Sequence, residues 1–113
     1  MSEVRHRLVA DGRWHELSVS EQLGNIGSEV SRAQRWRTRN PALAQEAFYR
    51  ALELIDCTLD DPRIRCSVAR LREMARTREV LVDFFAGENE YGSTADSLQK
   101  YFDAYAMAAR KHL

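Results

Sequence analysis

The chain has little of what most protein chemistries require. It holds two cysteines, Cys57 and Cys66, nine positions apart. They have neither CxxC spacing nor a histidine pair nearby, which excludes a disulfide framework and leaves no tetrahedral metal set. Neither charge sign dominates: 17 basic residues face 17 acidic ones, so no global field draws the chain toward nucleic acid or an anionic membrane. No apolar run reaches membrane-spanning length, and Met1 to Val9 does not read as a signal peptide. A reduced, cytoplasmic protein is therefore expected. Lysine is almost missing, since only Lys100 and Lys111 stand against fifteen arginines. Codon preference is the plain explanation; the sharper one is a surface suited to planar, bidentate recognition of phosphate or carboxylate.

Histidine is equally scarce. His6, His15 and His112 fall in the N-terminal arm and the final turn, outside Glu-x-x-His or His-x-x-x-His spacing. Helical di-metal chemistry lacks its ligands. Arg110 and His112 stand too close together for the Arg-x4–6-His motif of helical HEPN ribonucleases. Leu23-Gly24-Asn25-Ile26-Gly27 lies inside a helical pattern and follows no strand, so it is no phosphate loop. No catalytic residue, cofactor site or metal ligand is assigned, and the chain reads as no enzyme.

What is present is punctuation. Asn40-Pro41 and Asp61-Pro62 each put a capping side chain before a proline whose missing N–H a first helical turn leaves unpaired anyway. Ser18-Val19-Ser20-Glu21 is a capping box, and Ser93-Thr94-Ala95-Asp96 is a weaker relative. Four start signals predict four helices. The first runs from about Val19 to Arg37 and turns Val19, Leu23, Ile26, Val30 and Ala33 inward. The second follows Asn40 to about Leu59, with Ala44, Ala47, Phe48, Ala51, Leu52, Leu54, Ile55 and Leu59 on a wide apolar arc. The third runs from Pro62 to Ala86 with Ile64, Val68, Leu71, Ala75, Leu81, Val82 and Phe85 inward, and Gly87 ends it in a left-handed cap. The fourth turns Leu98, Tyr101, Phe102, Tyr105 and Ala109 inward. One helix kinked at Pro62 is the alternative for the second and third.

With 44% hydrophobic and 30% charged residues, a length of 113 suits one folded domain. Short turns force neighbouring helices to pack antiparallel. The expected fold is all-α: an antiparallel up-and-down four-helix bundle over residues 18–113. Residues 1–17 form an irregular N-terminal arm, in which Asp11-Gly12 can turn and Trp14 and Leu17 tuck inward.

Three groups of residues are candidate sites. Gly24, Gly27, Ser28 and Ser31 make a small-residue strip on the first helix. Each interior glycine costs about 1 kcal/mol against alanine, so close approach of another backbone should compensate. That backbone belongs either to the same bundle or to a second copy of the chain. With the aromatics Trp36 and Tyr49, the strip is the candidate interface of a homodimer, or with another protein. The second group is a candidate RNA contact: Arg32, Arg35 and Arg39 around Trp36, with Arg65, Arg72 and Arg76 on the third helix. Helix-dipole compensation and pairing on a solvated face explain the same arginines without a ligand. The third is Arg78, whose helical angle falls between Leu71 and Phe85. It reads as a buried charge needing a carboxylate, with Glu29 or Glu53 as the partner.

Ala44, Phe48 and Ala51, followed by Leu52-Glu53-Leu54, resemble the second helix of a tetratricopeptide repeat. Only one such unit is present, whereas arrays need several. The stretches Glu21 to Val30 and Asn89-Glu90-Tyr91-Gly92 resemble a family of short, uncharacterised bacterial helical-bundle proteins. That resemblance implies an all-helical fold and carries no functional residue. The function expected is non-enzymatic protein–protein contact, with an RNA-binding accessory role as the alternative.

Overall fold

The computed structural model describes residues 12–111, apart from the side chains at 106 and 108–111. Residues 1–11 of the expected arm, and Ala109 of the fourth apolar face, lie outside what is described. Among the described residues all regular structure is helical. A 3-10 turn at Trp14–Glu16 precedes α1 (Val19–Trp36), α2 (Pro41–Leu59), the single turn α3 (Pro62–Arg65), α4 (Val68–Phe85) and α5 (Ala95–Lys111).

Local chemistry sets the starts. Ser18 and Glu21 close the expected capping box in both directions. Asn40 accepts from Leu43 N and Asp61 from Arg63 N, each with proline next in line. The α5 start is one residue later than expected. Thr94 Oγ1 accepts from Ser97 N and Ser97 Oγ accepts from Thr94 N, whereas Ser93 is tied to Asn89 by two hydrogen bonds.

The expected third helix is in fact two. Ser67 takes an extended backbone and accepts from Arg70 N, so α4 starts afresh after the α3 turn. A serine that bonds its own chain two or three residues on competes with helix continuation, which is why the break falls there. The break resets the helical phase. Met74, Thr77, Leu81 and Phe84 form the buried face of α4, while Val68 is 66% exposed and Ala75 is exposed. Gly87 is not left-handed either; that conformation belongs to Asn89 at φ 55°. A Cβ at Gly87 would sit 3.1 Å from the Asp83 backbone, a tight contact that favours glycine there.

The core joins Ile26, Val30 and Ala33 of α1 to Ala47, Ala51 and Ile55 of α2 and to Leu98 and Phe102 of α5. Trp14 is 1% exposed and belongs to the same core, as the inward arm requires. Ala44, Phe48 and Ala51, the residues resembling a tetratricopeptide helix, are all buried. The backbone of α1 packs closely on α2 and α5, and α4 leans on α2, whereas α4 and α5 stay apart and meet through side chains. No helix among the described residues is long and apolar enough to cross a membrane.

Candidate functional site

Each end of α1 carries a polar construction. At its start, Asp61 is buried at 1% exposure. Its Oδ1 accepts from Arg63 N at 2.8 Å and Arg63 Nε at 3.0 Å. Its Oδ2 accepts from Arg63 Nη2 at 2.6 Å and Gln22 Nε2 at 3.1 Å. With its proton on Nδ1, His15 donates to the same oxygen at 3.2 Å. Hydrogen bonding by Arg63, joined by Gln22 and His15, holds the Asp61 carboxyl far below the usual carboxylate range against the opposing pull of burial.

The same side chains fasten the segment ahead of α1. Gln22 Nε2 also donates to Trp14 O, Trp14 Nε1 donates to Thr58 Oγ1 at 3.0 Å, and Arg63 Nη2 reaches the carbonyls of His15 and Leu17. Every oxygen of this carboxylate is occupied. The arrangement is a clasp between the arm and the α2–α3 corner.

At the other end of α1, Arg37 is the C-cap residue and is exposed. Its guanidinium lies 4.5 Å above the Phe84 ring and 5.6 Å from that of Phe85, and Nη2 donates to Phe84 O. No carboxylate pairs with it among the described residues. A run of ring contacts carries on from there: Phe84 to Phe85 at 5.0 Å, Phe85 to Phe48 at 5.2 Å and Phe48 to Tyr49 at 5.8 Å. Tyr49 is 57% exposed, its hydroxyl accepting from Gln45 Nε2. A groove of about 330 Å³ runs between Arg37, Pro41, Ala44, Phe48, Tyr49 and Phe85. Among the described residues Arg37 is the only charged side chain lining it. The N-terminus of α2 opens beside it and has no acidic residue in its first turn, so the helix dipole adds to the positive potential.

The structure separates the residues of the expected interface. Gly27 is buried, and a Cβ there would overlap Phe102 Cβ and lie 3.0 Å from its Cγ. The close approach its glycine demands is thus made within the chain, between α1 and α5. Gly24, Ser28 and Ser31 are half-buried, with Ser28 Oγ bonded to Gly24 O. Trp36 is half-buried rather than an open platform, and only Tyr49 of the set is well exposed.

The six arginines of the RNA candidate also divide. Arg35 and Arg39 are exposed, and Arg32 stands 3.7 Å from Glu29, all in the last turns of α1 or just beyond, where Arg37 meets Phe84 at the end of α4. Arg65 and Arg72 lie at the opposite end, in α3 and early α4. Arg65 faces Asp60 and Leu59 O, and Arg76 lies 5.8 Å over the Tyr91 ring. Arg78 is not a buried charge. With the α4 face centred on Met74, Thr77 and Leu81, it falls on the flank at 40% side-chain exposure. Its Nε donates to Asp56 Oδ1 at 2.8 Å, so a carboxylate does hold it, but from Asp56 rather than Glu29 or Glu53.

Two features escaped the sequence. Asp61 was legible only as a cap, because its Gln22 and His15 partners lie 39 and 46 positions away. The Arg37 groove needed the α4 phase, which the Ser67 break hides; its one local trace is that Arg37 stands between Arg35 and Arg39. Free Cys57 is half-buried, and burial with Glu53, Asp60 and Asp56 nearby pushes its thiol up, away from reactivity. Among the described residues no group of three or more His, Cys, Asp or Glu side chains is placed to hold a metal ion. No family model, curated protein or solved structure matches the chain.

Proposed function

We propose that the chain is a non-enzymatic contact module that binds another protein through the Arg37 groove. One observation carries this reading: an exposed guanidinium with no carboxylate partner among the described residues, stacked on a run of aromatic rings that ends in exposed Tyr49. Arginine and tyrosine on an apolar floor are the side chains that dominate protein interfaces, where desolvated anchors supply most of the affinity. The partner surface that complements it offers an apolar side chain for the floor and a carboxylate for Arg37. Two copies joined at this face are the homodimeric form of the same reading.

The scaffold in this proposal is an antiparallel up-and-down four-helix bundle. Supporting it, Thr77 meets Tyr101 while Glu73 meets Tyr105, so α4 and α5 pair in opposite directions. Two free cysteines suit a reduced cytoplasm. The test is selection from a library of helical peptides against the purified chain, read by the sequence bias of the binders. Binders rich in Asp or Glu beside aromatic or branched apolar residues, lost with Arg37→Glu, support the proposal. Binders without that bias contradict it, and so does salt-sensitive binding of RNA oligonucleotides in place of peptide.

A further inference from the structure

A second carboxylate sits where the backbones of α4 and α5 part. Glu73 Oε1 accepts from the Tyr101 hydroxyl at 3.0 Å and the Tyr105 hydroxyl at 3.1 Å. Burial pushes both phenols up from their usual range, so both keep their protons at neutral pH and act as donors. Glu73 Oε2 has no hydrogen bond, and no Arg, Lys or His approaches the carboxylate within 4.0 Å among the described residues. The exposed carboxylate is oriented by two hydroxyls and has no cation among the described residues.

Space adjoins it on both sides. A cleft of about 480 Å³ between α1, α3, α4 and α5 has Val19, Leu23, Ile64 and Met74 as apolar wall, with Ser18, Ser20, Arg70, Glu73 and Tyr105 as polar groups. A smaller one of about 260 Å³ continues past Glu73 beneath Tyr101 and Phe102. The larger volume falls within the range of small-molecule sites, which pair a mostly apolar lining with a few placed polar groups. Arg70 sits three residues before Glu73, about one helical turn or 5 Å along α4. Its Nη1 is spent on Arg63 O, and the rest of its guanidinium fork has no hydrogen bond among the described residues.

We propose that this cleft binds a small zwitterion with an apolar body, of amino-acid to dipeptide size. Its ammonium meets Glu73 Oε2 beside the Tyr105 ring, where carboxylate and aromatic face both favour a cation. Its carboxylate meets Arg70, and its apolar part lies over Leu23, Ile64 and Met74. A plain fatty or aryl acid would leave Glu73 unpaired beside a second anion, and a plain amine would leave Arg70 unused. Complementarity to both signs at a spacing of one turn is what selects the zwitterion.

The experiment titrates the labelled full chain with L-leucine, L-phenylalanine and L-tryptophan, with their deaminated acids in parallel, and follows amide shifts by NMR. At least one of the three amino acids is expected to bind in the millimolar range or tighter. The shifts should centre on Leu23, Glu73, Met74 and Tyr105, and the deaminated acids should bind at least about tenfold more weakly. Glu73→Gln keeps the acceptors for both tyrosines, and so the fold, but should remove the preference for the amino form. Tyr91→Phe, away from the cleft, should change nothing. The proposal is overturned if no amino acid shifts these amides, if the acids bind equally well, or if Glu73→Gln binds as the wild type does.

Discussion

Arg63 and Arg37 stand near opposite ends of α1, and both spend a guanidinium N–H on main-chain carbonyls of a neighbouring segment. There the likeness stops. Arg63 is ion-paired to a buried aspartate that two other residues, Gln22 and His15, also bond, so both oxygens of that carboxylate are taken. Arg37 rests on two phenylalanine rings with no carboxylate among the described residues and a groove in front of it. A buried carboxylate with both oxygens hydrogen-bonded marks structure. A charge left with open donors on an apolar floor marks a place where something else can bind. On the proposed reading, the Asp61 end is the clasp and the Arg37 end the contact.

The comparison breaks first at Asp61. Asp61→Ala removes a helix cap and leaves one Gln22 amide N–H and the Arg63 guanidinium without their carboxylate, for a combined loss of about 3 kcal/mol. Urea unfolding followed by circular dichroism reads this directly. A loss below about 1 kcal/mol would mean the clasp is ornamental. Gly27→Leu comes next, because a branched side chain must displace Phe102; overpacking of this kind costs about 1–3 kcal/mol. Its mass in solution should stay that of the wild type, since the contact it disturbs lies within the chain. Thr58→Val keeps the shape but leaves the Trp14 indole N–H unpaired in the core, at about 1–2 kcal/mol.

Acid sharpens the same contrast. The folded pKa of Asp61 is depressed, so its stabilisation is fully present above the ordinary aspartate value of about 3.9. As pH falls below that value the unfolded chain takes up the proton first, and stability drops until the folded carboxyl titrates too. Asp61→Asn should therefore show a flatter loss of stability between about pH 4 and pH 2 than the wild type. Equal slopes would show that Asp61 is not the group responsible. At the other end, Arg78→Met should cost less than about 1 kcal/mol, because its pair with Asp56 is half in water.

How much of this could be read from the sequence depended on how far each cause reaches. Helix starts at Ser18, Asn40 and Asp61 were legible because a cap and the proline or glutamate beside it lie within three residues. The inward face of α1 was legible for the same reason, as Leu23, Ile26, Val30 and Ala33 hold one phase without a break. The face of α4 was not. Ser67 interrupts the helix, and carrying the phase through from Ile64 put Val68 and Ala75 inside and Arg78 in the core. Gly27 announced a close approach but could not say whose, and the answer is Phe102. The clasp and the groove are both tertiary, assembled from residues some 40 positions apart, and periodicity does not report on that scale.

The central claim is that the Arg37 end is where a partner binds. The direct measurement is the affinity of the best acidic apolar peptide for the wild type, Arg37→Glu and Tyr49→Ala, with unfolding free energies taken on the same samples. Arg37→Glu is expected to lose at least about a hundredfold and Tyr49→Ala about tenfold, while stability changes by less than about 1 kcal/mol in each. Unchanged affinity in both variants, or a loss of affinity matched by a loss of folding, would contradict it.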